Sequence, residues 1–309
     1  MKAFDRIAGA ALLVLVFGVT AHAQTLALRA CGTINRSGHY FVTNDLVLKQ
    51  VTEGSGGDCL NIRASQVNLN LGGHTIYVQC LWNPFDNNSC AALGRSATAG
   101  AVGINVLSGA NEVSINNGYI GSASGNFLEG IAGTDANSTH VNNVAIQAVV
   151  GIQLTNVNDD SFNNISYVIA DTVYHGLNGP ILSVTGNRNN FRGLVGADVG
   201  GDIGTEPAIV ITGNHNLVDQ ANVSNFGVCD YAVQVSGRYN SITNSTVNAE
   251  GGCGLEVTSG SAYNTIEKNT VTVMPNSPGF ALFDANANCG SDTWADNTFT
   301  NASPASCIQ

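Results

Sequence analysis

The sequence predicts an all-β, single-domain solenoid, a parallel β-helix of about ten rungs with capped, disulfide-linked ends. Three observations carry this. A short alternating strand, a Gly/Asn turn, a second strand and an Asn-containing bend recur along the chain. The composition is 44% hydrophobic and 11% charged with 36 glycines, too apolar for a disordered chain. An Asn stands two residues before a large apolar side chain at Asn111, Asn142, Asn163, Asn189, Asn216, Asn240 and Asn264, with Asp292 before Trp294, at intervals of 31, 21, 26, 27, 24, 24 and 28.

The chain opens with Lys2 and Arg6 ahead of an apolar run from Ile7 to Val19, followed by Ala21-His22-Ala23. This reads as a secretory signal over residues 1–23, so a secreted protein, extracellular or periplasmic, is expected. No other stretch approaches the about 18 apolar residues of a membrane span, and no membrane insertion is expected. Removing Lys2, Arg6 and Asp5 leaves 9 basic and 21 acidic side chains, a net charge of −12. Such a surface cannot neutralise a phosphate backbone, which argues against nucleic acid.

All eight cysteines follow the signal. An oxidising compartment and an even number point to disulfides, and no CxxC zinc spacing is present. Proximity groups Cys31 with Cys59, Cys80 with Cys90, Cys229 with Cys253 and Cys289 with Cys307. Residues 24–58 are expected to form an N-terminal cap, 59–288 the repeats and 289–309 a C-terminal cap, since bare strand edges invite pairing with another chain.

Within the repeats, residues 179–187 align without gaps with 206–214, 27 residues later, and looser copies cover 103–109, 151–156, 232–237 and 254–260. A second apolar residue follows the first by five positions, as in Ile115/Ile120, Val144/Val149, Val218/Val223, Ile242/Val247, Ile266/Val271 and Trp294/Phe299, which makes three short strands per period. Such strands bury a core only when stacked at about 4.8 Å. The 38 asparagines fit this economy, because Asn tolerates left-handed turns and its amide bonds to the Asn one rung away.

Residues 260–271, Gly-Ser-Ala-Tyr-Asn-Thr-Ile-Glu-Lys-Asn-Thr-Val, resemble the carbohydrate-processing β-helix repeat. From roughly residue 30 to residue 300 the chain resembles the right-handed parallel β-helix superfamily of pectate lyases, polygalacturonases, C5-epimerases and NosD-like proteins. The resemblance implies a sugar site on the outer face of the first strand and its flanking turns. Polygalacturonase-like enzymes carry aspartates just before that strand on neighbouring rungs; here Glu206 and Asp230 hold the place, with Asp58 and Glu129 one residue along. Neighbouring carboxyls raise one another's proton affinity, so one serves as acid while the other stays ionised. The Gly-His-Gly and Arg-Ile-Lys motifs of polygalacturonases are lacking.

If Ile209 and Ile211 point inward, the outward row reads Asn61, Asn105, Gln153, Ser183, Val210, Gln234 and Glu256, an amide-rich strip suited to hydroxyl groups or simply a solvated sheet face. Gln153, Gln234 and Glu256 are the substrate-binding candidates. Trp82, in the loop between Cys80 and Cys90, either stacks on a sugar or folds back over the helix end. Arg188, His215, Arg238 and Tyr239 fall in the first turn on three successive rungs, next to Asp159 and Asp160; Arg188 and His215 join Glu206 and Asp230 as catalytic candidates. The acidic, glycine-rich loop 196–206 offers Asp198 and Asp202 to a calcium ion, although no cofactor is required.

The expected function is binding and cleavage of a polysaccharide or surface glycan, by a lyase or glycoside hydrolase mechanism, by a monomer. The alternative is a non-catalytic scaffold or a glycan- or protein-binding solenoid.

Overall fold

The computed structural model describes residues 25–49, 57–79, 101–121, 127–167, 179–198, 207–225, 231–250, 252–275 and 279–308. The secretory segment, Trp82, Cys80, Cys90, Asp202, Glu206, Cys229 and Asp230 lie outside them.

The chain is a parallel β-helix. One sheet has 11 strands in sequential order, from Gly32–Ile34 through Leu60–Ile62, Val102–Val106, Phe127–Thr134, Ala148–Asn158, Leu182–Asn187, Ile209–Asn214, Tyr231–Arg238, Cys253–Val257 and Leu282–Asp284 to Ala302–Ser303. The second and third strands of each rung merge into a bent sheet of 18. Among the described residues no helix is long and apolar enough to cross a membrane.

Alternation along each strand lays the core down in columns. Leu60, Ile104, Ile131, Ile152, Leu182, Ile209, Val233, Leu255 and Leu282 stack in register across the 11-stranded sheet, all buried. In the wider sheet the column runs Leu69, Ile115, Val141, Phe162, Phe191, Val218, Ile242, Ile266 and Trp294. Phe162 and Phe191 stack at 5.2 Å, close to the rung spacing.

The expected phase needs correcting in the first half. Asn142 and Asn163 pair with each other and with Arg192, not with Asn189, and Asn111 pairs with Asn137. The column of Asn189 continues instead into Asp160, whose backbone N–H donates to Asn189 Oδ1, and then Thr139, whose N–H donates to Asp160 Oδ1. The residue in the column of Ile115 and Phe162 is accordingly Val141, while Val144, also buried, stands on Ile165. Two Asn-rich spellings three residues apart share one apolar spacing, and only the stacking of Val141 on Ile115 and Phe162 selects between them.

Stretches expected to cap the ends are themselves laid down in register. Residues Gly32–Ile34, Gly38–Val42 and Leu46–Lys49 form a rung on Leu60–Ile62, Val67–Asn70 and Thr75–Gln79. Cys31–Cys59 ties this rung to the next, and Cys289–Cys307 ties the other end. There the inward column stops at buried Asp284, which accepts the Trp294 indole N–H at 2.9 Å.

Candidate functional site

The 11-stranded sheet turns a set of parallel columns outward. The expected row is one column by register, and the structure adds members: Thr33, Asn61, Asn105, Ala132, Gln153, Ser183, Val210, Gln234, Glu256, Phe283 and Ser303. The rung of Ala132 escapes sequence reasoning because Gly130, Ala132 and Gly133 break the alternating spelling. Asn105 Nδ2 donates to Asp58 Oδ2 at 2.9 Å, and Gln234 Nε2 to Glu256 Oε2 at 2.8 Å.

Beside this row runs a hydroxyl column not foreseen from the sequence: Thr134, Thr155, Thr185, Thr212 and Ser236. The four threonines are exposed. A third column, Asn137, Asn158, Asn187 and Asn214, carries amide-to-amide bonds of 3.0, 3.1 and 3.0 Å from rung to rung. On the rungs of Gln153, Ser183 and Val210 the three columns carry no charge, and apart from Val210 their members are polar.

Toward the C-terminal rungs the face closes on aromatic rings. Tyr231 stacks on Phe283 at 5.7 Å, and Phe283 on Phe280 at 5.9 Å, alongside Gln234 and Glu256. Burial pushes the Tyr231 phenol well above the ordinary tyrosine range. The signal that locates this group is the register: Phe283 occupies the outward row, where an apolar ring on a solvated face is unexpected.

Arg188 and His215 lie at the far end of the strands. Both sit in the first turn with left-handed backbone angles, as do Asp159, Tyr239 and Tyr263 at the same position of neighbouring rungs. The side chains pair along that column. Arg188 grips Asp159 through two bonds of 2.7 and 2.8 Å, which holds the exposed Asp159 carboxyl below the usual range. His215 stacks on Tyr239 at 4.9 Å and Tyr239 on Tyr263 at 5.1 Å, so the ring faces cover one another and their edges meet solvent. Pro207 and Tyr231 stand at the opposite end of the same strands; Glu206 and Asp230 precede them in the sequence and lie outside the described residues. Eight residues of extended chain separate Pro207 from His215, roughly 25 Å. Pro207 and Tyr231 thus mark one rim of the face, and Arg188 and His215 the other.

Asp58 and Glu129 stand near the first of these rims, two rungs apart. Burial, and then the charge of Asp58, raises the Glu129 carboxyl above its ordinary value. Asp198 ends the strand Val195–Asp198, in register with Asn225. Among the described residues no group of three or more His, Cys, Asp or Glu is placed to hold a metal ion.

No family model and no curated protein matches the chain. Solved structures do match. A protein of Geobacillus virus E2, ORF18, is 11% identical with a TM-score of 0.56, covering 89% of this chain and 53% of its own. The Dettilon tailspike protein is 10% identical with a TM-score of 0.51, covering 89% and 53%. An endo-xylogalacturonan hydrolase from Aspergillus tubingensis is 12% identical with a TM-score of 0.48, covering 93% and 85%. This chain spans about half the length of the first two. At such identities the likeness is one of fold.

Proposed function

We propose that this protein is exported and that it binds and cleaves a polysaccharide along the outer face of the 11-stranded sheet. The observation that carries the reading is that face: an amide-bearing row, a hydroxyl column and an Asn ladder running together toward Tyr231, Phe280 and Phe283. Amides and hydroxyls both donate and accept, as sugar hydroxyls do, and aromatic rings cover the C–H faces of a pyranose. The regular rung spacing suits a polymer better than a single small ligand. A neutral face on a chain with a formal charge of −11 favours an uncharged polysaccharide over a polyuronate.

Cleavage is assigned to Glu206 and Asp230, which in the sequence lead into the strands Ile209–Asn214 and Tyr231–Arg238 of consecutive rungs. One carboxyl protonates the leaving oxygen while the other, ionised, activates water or attacks the sugar. Arg188 and His215, already partnered by Asp159 and Tyr239, shape the opposite rim. Calcium at Asp198 and Asp202 belongs to the same reading if the substrate is acidic, and predicts a melting temperature raised by millimolar calcium and restored by chelator.

The test is the release of reducing ends from a polysaccharide panel. E206Q and D230N should each lower the rate at least about a hundredfold, the scale of acid–base catalysis, with an unchanged melting temperature. Full activity in both variants would contradict the assignment. Binding without cleavage by the unsubstituted protein would make it a binding solenoid.

A further inference from the structure

We propose that Asp160 is built into the fold as an uncharged carboxylic acid, a proton-bearing stand-in for asparagine at the head of the buried ladder, and that rising pH weakens the fold at this rung.

The ladder shows what its members must do. Asn189, Asn216, Asn240 and Asn264 occupy one column, and each accepts with Oδ1 a backbone N–H from the neighbouring rung, except that Asn189 accepts that of Asp160. Each also donates with Nδ2 to a backbone carbonyl on the preceding rung: Val157, Gly186, Gly213 and Gly237. Both jobs are needed, because a buried backbone group without a partner is costly.

Asp160 fills the same place one rung earlier and is 1% exposed. Its Oδ1 performs the first job, accepting the Thr139 N–H at 2.7 Å. Its Oδ2 stands where the ladder has an NH2 group, and among the described residues it has no hydrogen-bond partner; neither has Thr139 Oγ1 on the rung before. Asn158 pairs with Asn137, so the carbonyl corresponding to that of Val157 is Ala136's. Among the described residues no N–H or O–H is hydrogen-bonded to Oδ2 to stabilise its ionised form. A protonated one donates an O–H to an acceptor on that rung, as asparagine does with N–H.

Among the described residues no cation is paired with Asp160. On its own rung the neighbour is Asp159, another acid, whose carboxylate is taken by Arg188 from the next rung. On that rung the ladder partner is uncharged Asn189. On the rung before, Ser138 and Thr139 are uncharged and His140 is exposed, its ring bonded to Ser161 Oγ at 2.6 Å. Burial, above all, and then the charge of Asp159 lift the Asp160 carboxyl to about 7, against the pull of the Thr139 backbone N–H that donates to it and of the nearby Ser138 N–H.

The sign follows. Between pH 4 and 7 the native state holds at Asp160 a proton that the unfolded chain has released, so this group's contribution to stability is greatest at acid pH and falls as pH rises through this window. A shift from 3.8 to about 7 corresponds to about a thousandfold in the folding constant.

The experiment compares thermal and denaturant unfolding of the wild-type protein and D160N from pH 5 to pH 8.5. D160N should be the more stable at pH 8.5, by up to about a thousandfold in the folding constant, with the advantage shrinking toward pH 5. Equal or lower stability of D160N at pH 8.5, or parallel profiles, would overturn the proposal. Carboxyl carbon NMR of the wild-type protein tests it without a variant: the Asp160 carboxyl should be protonated at pH 5 and titrate near neutrality. A signal already ionised at pH 5 would overturn it.

Discussion

At the residue scale, the molecule rests on amides asked to act as backbone. Asn216 shows the demand: its Oδ1 accepts from the N–H and the Nδ2 of Asn189, and its Nδ2 donates to Gly186 O and Asn240 Oδ1, all within 3.0 to 3.1 Å. Replacing it by alanine strands a buried N–H and a buried C=O. Asn216→Ala should therefore cost about 3 kcal/mol in denaturant unfolding, whereas Asn214→Ala, in the exposed ladder where water substitutes, should cost about 1 kcal/mol or less. Equal costs would show that burial of the ladder does not matter. The asparagine excess and its rung-to-rung bonding were legible in the sequence; which asparagines are buried was not. Asn142 and Asn189 have the same local spelling, yet one lies in a strand beside Asn163 and the other in the buried column. Asp160 stands beside Asp159 in the sequence, but only stacking reveals that one carboxyl faces solvent and the other the ladder.

At the element scale, the same turn is imposed on eight successive rungs regardless of the residue it receives. Gln66, Glu112, Ser138, Asp159, Arg188, His215, Tyr239 and Tyr263 all take φ between 57° and 61° there. Most of these side chains gain little from such angles locally, so the stacked rungs hold them. Glycine is needed two residues earlier, where the chains approach most closely. Gly213 has φ +135°, and a Cβ on it would lie 1.8 Å from Gly186 O of the preceding rung; Gly237 meets Gly213 O in turn at 2.0 Å. Gly213→Ala should destabilise by about 4 kcal/mol or more, read as a lost or strongly lowered unfolding midpoint, because both the angle and the space are denied. A variant with wild-type stability would mean that the rungs separate there at little cost. Residues 179–187 and 206–214 share this glycine, and that is why the gapless repeat was visible in the sequence. The strand Phe127–Thr134 was not, since Gly130, Ala132 and Gly133 replace the alternating spelling with small residues packed against neighbouring rungs.

At the scale of the whole molecule, eleven strands in one register create a surface that no single repeat possesses. Its polarity was partly legible: the amide row follows from alternation, and Gln153, Gln234 and Glu256 do share one column. The hydroxyl column and the aromatic end depend on which residues of distant repeats come into line, and Phe283 joins Tyr231 across an intervening rung. Disulfides close both ends of the stack, at Cys31–Cys59 and Cys289–Cys307, so the face is held between fixed termini. The central claim is that this face binds a polysaccharide. The most direct measurement is the affinity of the purified protein for a panel of neutral and acidic polysaccharides, with Phe283→Ala and Gln234→Ala alongside. The account predicts retention by at least one neutral polysaccharide, weakened about tenfold or more in each variant while melting temperatures hold, since losing one stacking ring or one bonded amide is worth about 1.4 kcal/mol. No binding across the panel by the folded protein, or binding indifferent to both substitutions, would contradict it.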